Sequence, residues 1–188
     1  MHGQFAQGLI HEHARVEIGV RAGEHVGGGE RLAEQAAGAL AERAAAGVLL
    51  QGRAAVGGAD VVVDAAQESA LKLKETTGIF AEGMSSADLL HGPIGAVGPD
   101  VPALLLDDGG PAAQDARELD GKLREAGAPV TLCAPSPDAG LPIAQDVHWA
   151  LAGICAVVRA QQVARELTLA RGRDPDAPPG LSKVTETH

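Results

Sequence analysis

Ala103-Leu104-Leu105-Leu106 places four apolar side chains in succession, directly before the run Asp107-Asp108-Gly109-Gly110. Side chains of a strand alternate between the two faces of its sheet, so a strand without a polar residue has no face that can meet water. Such a strand must lie inside a sheet covered on both sides. Residues 48–50 (Val-Leu-Leu) and 130–133 (Val-Thr-Leu-Cys) have a similar short, largely apolar character, and 61–63 (three valines) reads either as a strand or as the lead into a helix. Helical patterns separate these runs: an Ala-rich stretch over 30–46 stopped by Gly47, then 65–77 stopped by Gly78. A short helix follows, capped by Ser85 or Ser86 and reaching Leu90, then 112–126 after Pro111 and 150–170. Asp64 is placed to cap the second of these helices, and the glycine-rich stretch 52–58 reads as a loop. Short buried strands alternating with helices specify an α/β fold, with a mainly parallel sheet and helices on both faces in three layers.

A chain of 188 residues suits one domain. The expected organisation is an irregular N-terminal segment over 1–25, a folded domain over 26–170, and a C-terminal tail over 171–188 that is extended at 174–179. With one Trp, two Phe and no Tyr, the core has to be built from Ala, Val, Leu and Ile, and aromatic stacking platforms for bases are lacking. The formal charge of −10, from 25 acidic and 15 basic residues, argues against a nucleic-acid partner, because backbone binding needs clustered Lys and Arg. No apolar run approaches the length of a membrane span, and the first residues lack the pattern of a signal peptide. Cys133 and Cys155 stand apart from any CxxC or His partner and read as buried free thiols of a reducing compartment. These features point to a cytoplasmic protein with no membrane partner. His11 and His13 stand two apart with no third ligand at zinc-like spacing, so no metal site is expected.

Residues 68–75, ESALKLKE, are less transparent. Leu71, Lys72, Leu73 and Lys74 alternate as in a half-buried strand, yet every neighbour is a good helix former. At about 100° per residue, Glu68, Lys72 and Glu75 fall within about 60° of one another, while Leu71 and Leu73 are free to pack against a sheet. A strand would leave both glutamates without a consistent role, so the helix is the better reading. That face is then either a solvated Glu68–Lys72 pair worth about 0.2–0.5 kcal/mol, or a reactive carboxylate beside a lysine.

The longer stretch 68–93, with ALKLKE, AE and SSADLLHGP, resembles the second SIS (sugar isomerase) domain of the glucosamine-6-phosphate synthase family and the related class II glucosamine-6-phosphate deaminases. The tail RGRDPDAPPGLSKVTET over 171–187 is similar to that family's C-terminal tail, and Glu17-Ile18-Gly19-Val20 to the segment that enters its second SIS domain. The resemblance implies a single SIS domain of flavodoxin-like α/β architecture that binds a phosphorylated hexose or hexosamine. The implied reaction is aldose–ketose isomerisation or deamination, in a homodimer or in a pair with another SIS domain.

By the same resemblance, Glu75 is the base that moves a proton between C1 and C2 of the sugar phosphate, and Lys72 lies beside the open-chain sugar. His91 assists ring opening from the neighbouring subunit, and Lys183 closes over the substrate from the tail. Val20, Glu68 and Ser182 join them as substrate-binding positions. The residue types suit the chemistry independently. Proton transfer next to a carbonyl needs a base tuned towards neutrality, and desolvation and a nearby lysine pull a carboxylate in opposite directions. Ring opening needs a group that gives and takes protons near neutral pH. None of these steps calls for a metal or an organic cofactor. The chain has only five serines, Ser69, Ser85, Ser86, Ser136 and Ser182, and no SxSGxT-type loop of the kind that holds the sugar phosphate in the family. The expectation is therefore half of a site, or else a non-catalytic binding or dimerisation module. A chain starting Met1-His2 is not expected to carry glutamine-dependent amination.

Overall fold

The computed structural model describes residues 54–58 and 62–181, together with the helical positions Arg31, Glu34, Gln35 and Gly38. The last four fit the helix expected over 30–46; the strand expected at 48–50, the histidines His11 and His13, and the site candidates Val20, Ser182 and Lys183 lie outside the described residues.

Among the described residues, five parallel strands form one sheet: β1 (Ala54–Gly58), β2 (Ala81–Ser85), β3 (Ala103–Leu106), β4 (Val130–Ala134) and β5 (Leu141–Pro142). Their spatial order is β2-β1-β3-β4-β5. The helices are α1 (Val63–Lys72), continued by a π-helical turn (Leu73–Thr77), then α2 (Ser86–Leu90), α3 (Ala113–Glu125) and α4 (Ala152–Ala170). The expected α/β architecture is present, and β3 behaves as its composition demands. Its four residues are buried, and their alternation divides them between two cores. Leu104 and Leu106 join α1 and α4, whereas Ala103 and Leu105 join α2 and α3. One face of the sheet therefore carries α1 and α4, and the other carries α2 and α3.

The α1/α4 core is built largely of alanine, with Ala65, Ala66 and Ala70 meeting Ala152, Ala156, Ala160 and Ala164. Small side chains let the helices come close to the sheet, and Gly83 of β2 takes this furthest. A Cβ there would overlap the backbone of Ala66 and Gln67. The position of α1, and of whatever its end carries, is thus fixed by direct contact with the β2 backbone.

Several local expectations are corrected. Residues 54–58, expected as loop, form β1, which pairs with β2 on one side and β3 on the other. The backbone ladders on both sides define this strand, and glycine does not prevent them. Of the three valines, Val62 and Val63 resolve as the start of α1, with Val62 at its N-cap without a side-chain cap bond, and Val61 lies outside the described residues. Asp64 sits within the first turn rather than capping it, where its charge still favours the helix dipole. Leu71 is exposed instead of packed, while Leu73 is buried as expected. β2 and β5 were not legible in the sequence. The stretch 174–179, expected to be extended, folds into turns, with Asp174 accepting bonds from the N–H groups of Asp176 and Ala177. Among the described residues, no helix is long and apolar enough to cross a membrane.

Candidate active site

α1 runs from the carboxyl end of β1 back to the start of β2, so its last turn lies at the amino ends of the strands. There the sequence places two adjacent threonines before a glycine, and the helix widens. The Thr76 hydroxyl donates to the Lys72 carbonyl at 2.8 Å, and the Thr77 hydroxyl to the Leu73 carbonyl at 2.5 Å. Such back-bonding competes with the regular backbone ladder. The turn Leu73–Thr77 is π-helical, a form found mostly as single turns and frequently at functional sites. Gly78 ends it at φ +70, in the left-handed region.

Glu75 lies in the middle of this turn. Its Oε2 accepts a hydrogen bond from Lys72 Nζ at 2.8 Å, and Glu68 Oε1 lies 3.6 Å from the same ammonium. The three residues that the spacing put on one face therefore meet around one cation. Glu75 is 26% exposed and Lys72 34%, open enough for a ligand to reach and shielded enough for their charges to interact strongly. The Lys72 ammonium is held above its ordinary range, chiefly by the bond to Glu75. Desolvation opposes this, and the charges of Glu68 and Glu75 reinforce it. Lys74, the other lysine of the motif, lies over the Phe80 ring instead, 5.8 Å from its centroid.

His91 is not part of this cluster. It caps the end of α2, exposed, with its backbone N–H bonded to the carbonyls of Ala87 and Asp88. α2 starts from the carboxyl end of β2, where Ser85 accepts the Asp88 N–H as its cap. It also packs on the opposite face of the sheet from α1. Within one chain the sheet stands between Glu75 and His91.

Two residues not singled out in the sequence reach the Glu75 turn from the far end of the chain. Arg171 Nε donates to the Thr77 carbonyl at 3.1 Å. The Arg173 guanidinium covers Gly78 so closely that a Cβ there would collide with it. Their only advance signal was their place at the head of the tail motif.

The remaining reactive groups are less available. Burial pushes the Cys133 thiol up to about 12 and raises Cys155 as well, so neither is a ready nucleophile. Asp107 and Asp108 end β3 and accept the N–H groups of Gly109 and Gly110, each at 2.8 Å. Asp108 Oδ2 is buried without a hydrogen-bond partner. No group of three or more potential metal ligands occurs among the described residues.

No family model matches the chain. It is 35% identical over 133 residues to a glutamine–fructose-6-phosphate aminotransferase (isomerizing) of Thermus thermophilus, a match covering 67% of this chain and 22% of the relative. The corresponding protein of Thermococcus kodakarensis is 31% identical over 131 residues, with the same coverage. Among solved structures, glucosamine-6-phosphate deaminase of Thermotoga maritima superimposes with a TM-score of 0.63 at 22% identity, covering 85% of this chain and 46% of that one. The C-terminal domain of glucosamine-fructose-6-phosphate aminotransferase from Francisella tularensis gives 0.64 at 19% identity, covering 80% and 43%. The chain spans about a fifth of the length of the curated relatives it matches. It is homologous to the C-terminal sugar isomerase (SIS) region of the glutamine–fructose-6-phosphate aminotransferases and carries the SIS-type α/β fold.

Proposed function

We propose that the chain is the proton-transferring half of a site for a phosphorylated hexose or hexosamine, isomerising or deaminating the open-chain sugar. The observation that carries this reading is the Glu75 carboxylate held 2.8 Å from the Lys72 ammonium in a partly open π-helical turn. The names of the relatives, an isomerising fructose-6-phosphate aminotransferase and a glucosamine-6-phosphate deaminase, support the substrate class. In the isomerisation, Glu75 removes the proton from the carbon next to the carbonyl, and the electron pair moves onto the carbonyl oxygen to form an enediolate. The protonated Glu75 then returns the proton to the former carbonyl carbon while the proton of the neighbouring hydroxyl passes to the enediolate oxygen, so that carbonyl and hydroxyl exchange places and the carboxylate is regenerated. Lys72 contributes positive charge beside the base, where negative charge develops on the sugar oxygen.

His91 assists ring opening from a second subunit in this reading, supported by the sheet that stands between it and Glu75 in one chain. An exposed apolar stripe on the last helix, Leu151, Ile154 and Val158, supports pairing with a second copy or another SIS domain. Val20 and Ser182 contact the substrate, and Lys183 closes over it. The phosphate is held elsewhere, since the sequence offers no serine-rich loop for it. We also assign a cytoplasmic location, supported by the two unpaired cysteines.

The test is turnover of fructose 6-phosphate and glucosamine 6-phosphate, followed as sugar conversion and ammonia release, by the chain alone and with a phosphate-binding SIS domain added. Glu75→Gln is expected to abolish it. Sugar-phosphate binding that survives Glu75→Gln, with no turnover under either condition, would favour a non-catalytic binding or dimerisation module.

A further inference from the structure

The last carbonyls of a helix have no donor within it, and a π-helical turn is held less well by its own bonds than an α-helical one. In this chain the Thr77 carbonyl receives its donor from Arg171, at a separation of 94 residues. Arg171 caps the end of α4, and its own N–H groups and those that follow are tied back into that helix. Its N–H bonds the Leu167 carbonyl, and the Arg173 N–H bonds the Thr168 carbonyl at 3.1 Å. Gly172, left-handed at φ +68, turns the chain between the two arginines. Arg171 then holds the Thr77 carbonyl while Arg173 covers Gly78. The end of α4, the start of the tail and the turn carrying Glu75 form one hydrogen-bonded unit.

We propose that Arg171 is a positioning residue for Glu75: it fixes the end of the π-helical turn, so that the carboxylate two residues upstream of the bonded carbonyl faces Lys72. Without that bond the end of the turn is free to unwind, and the carboxylate loses the backbone anchor that keeps it at Lys72. Guanidinium suits the task because Nε donates in a fixed plane, whereas a lysine ammonium is a freely rotating point charge. The same contact places the root of the tail against the site. The inference deepens the reading of Glu75 as the base and rests on it for its catalytic meaning.

The test compares Arg171→Ala and Arg171→Lys with Arg159→Ala. Arg159 makes the same kind of bond, Nε to the Pro142 carbonyl at 2.8 Å, at the opposite edge of the sheet. The readout is the titration of the Lys72 ammonium by NMR, identified with Lys72→Arg, because that ammonium reports its bond to Glu75. Arg171→Ala is expected to move the Lys72 pKa down towards its ordinary 10.5. Arg171→Lys should recover part of the shift, and Arg159→Ala should leave it unchanged. An unchanged Lys72 titration in Arg171→Ala, or an equal change in Arg159→Ala, overturns the proposal. If Arg171→Ala does not fold, Arg171→Gln and Arg171→Lys carry the comparison. In the turnover assay, Arg171→Ala should lower kcat by about a hundredfold with KM little altered, as expected for a misplaced base. A wild-type chain that turns nothing over counts against the function of Glu75, while the Lys72 titration still decides the role of Arg171.

Discussion

Gly78 and Gly172 offer a matched pair for measuring how tightly the tail grips the candidate site. Both are left-handed, at φ +70 and +68. An alanine at either position meets the same backbone strain, about 1–2 kcal/mol. Their surroundings differ. A Cβ at Gly172 has nothing within 4 Å, whereas one at Gly78 runs into the Arg173 guanidinium. Because that obstacle is the end of a flexible side chain, it can move, at an added cost of about 0.5–1.5 kcal/mol for leaving its rotamer. Gly172→Ala should therefore lose about 1–2 kcal/mol, and Gly78→Ala about 0.5–1.5 kcal/mol more. Arg173→Ala should remove the excess: the loss on adding Gly78→Ala to it should match that of Gly172→Ala. Urea unfolding, followed through the fluorescence of the chain's single tryptophan, measures all four variants. If Gly78→Ala and Gly172→Ala lose the same stability, the guanidinium does not pack on the turn and the reasoning fails.

Three further outcomes are expected. Because the Lys72 pKa is raised in the folded state, its contribution to stability is fully present below 10.5 and is lost as pH rises through the folded value. The stability difference between wild type and Lys72→Met should therefore shrink in strongly alkaline urea titrations, and a constant difference would argue against the pair. Asp108→Asn keeps the acceptor for the Gly110 N–H and removes a charge whose second oxygen lacks a donor. It should be neutral or up to about 1 kcal/mol more stable, and a loss above about 2 kcal/mol would mean that Oδ2 is bonded after all. Ile154, 58% exposed in the apolar stripe, should weaken self-association when changed to Asp, as read by sedimentation. Identical sedimentation of Ile154→Asp and wild type over a wide concentration range would remove the stripe as a pairing surface.

The parts of the fold legible in the sequence are those set by local composition. Ala103–Leu106 had to be a doubly covered strand because none of its side chains tolerates water, and its residues divide between the two cores. The helix stop at Gly78 was legible because left-handed backbone selects glycine. β1 was hidden for a complementary reason. Ala54-Ala55-Val56-Gly57-Gly58 has little strand propensity, and its conformation is imposed by hydrogen bonds to β2 and β3 on either side. β2, with Glu82 and Gly83 in mid-strand, likewise owes its place to its ladder with β1 and to the close approach of α1.

The same division runs through the site. Helical periodicity was enough to gather Glu68, Lys72 and Glu75, since neighbours three and four apart share a face whichever way the turn is wound. Nothing in that period reveals that the turn carrying Glu75 is π-helical. The end of that turn is held by an arginine 94 residues from the carbonyl it bonds. The relation between Glu75 and His91 is also non-local. They are sixteen residues apart in sequence, but one follows a helix on the α4 side of the sheet and the other a helix on the α3 side. Motif spacing alone would group them in one pocket, whereas the strand between them sends them to different faces. A site that uses both must therefore be assembled from two chains or domains.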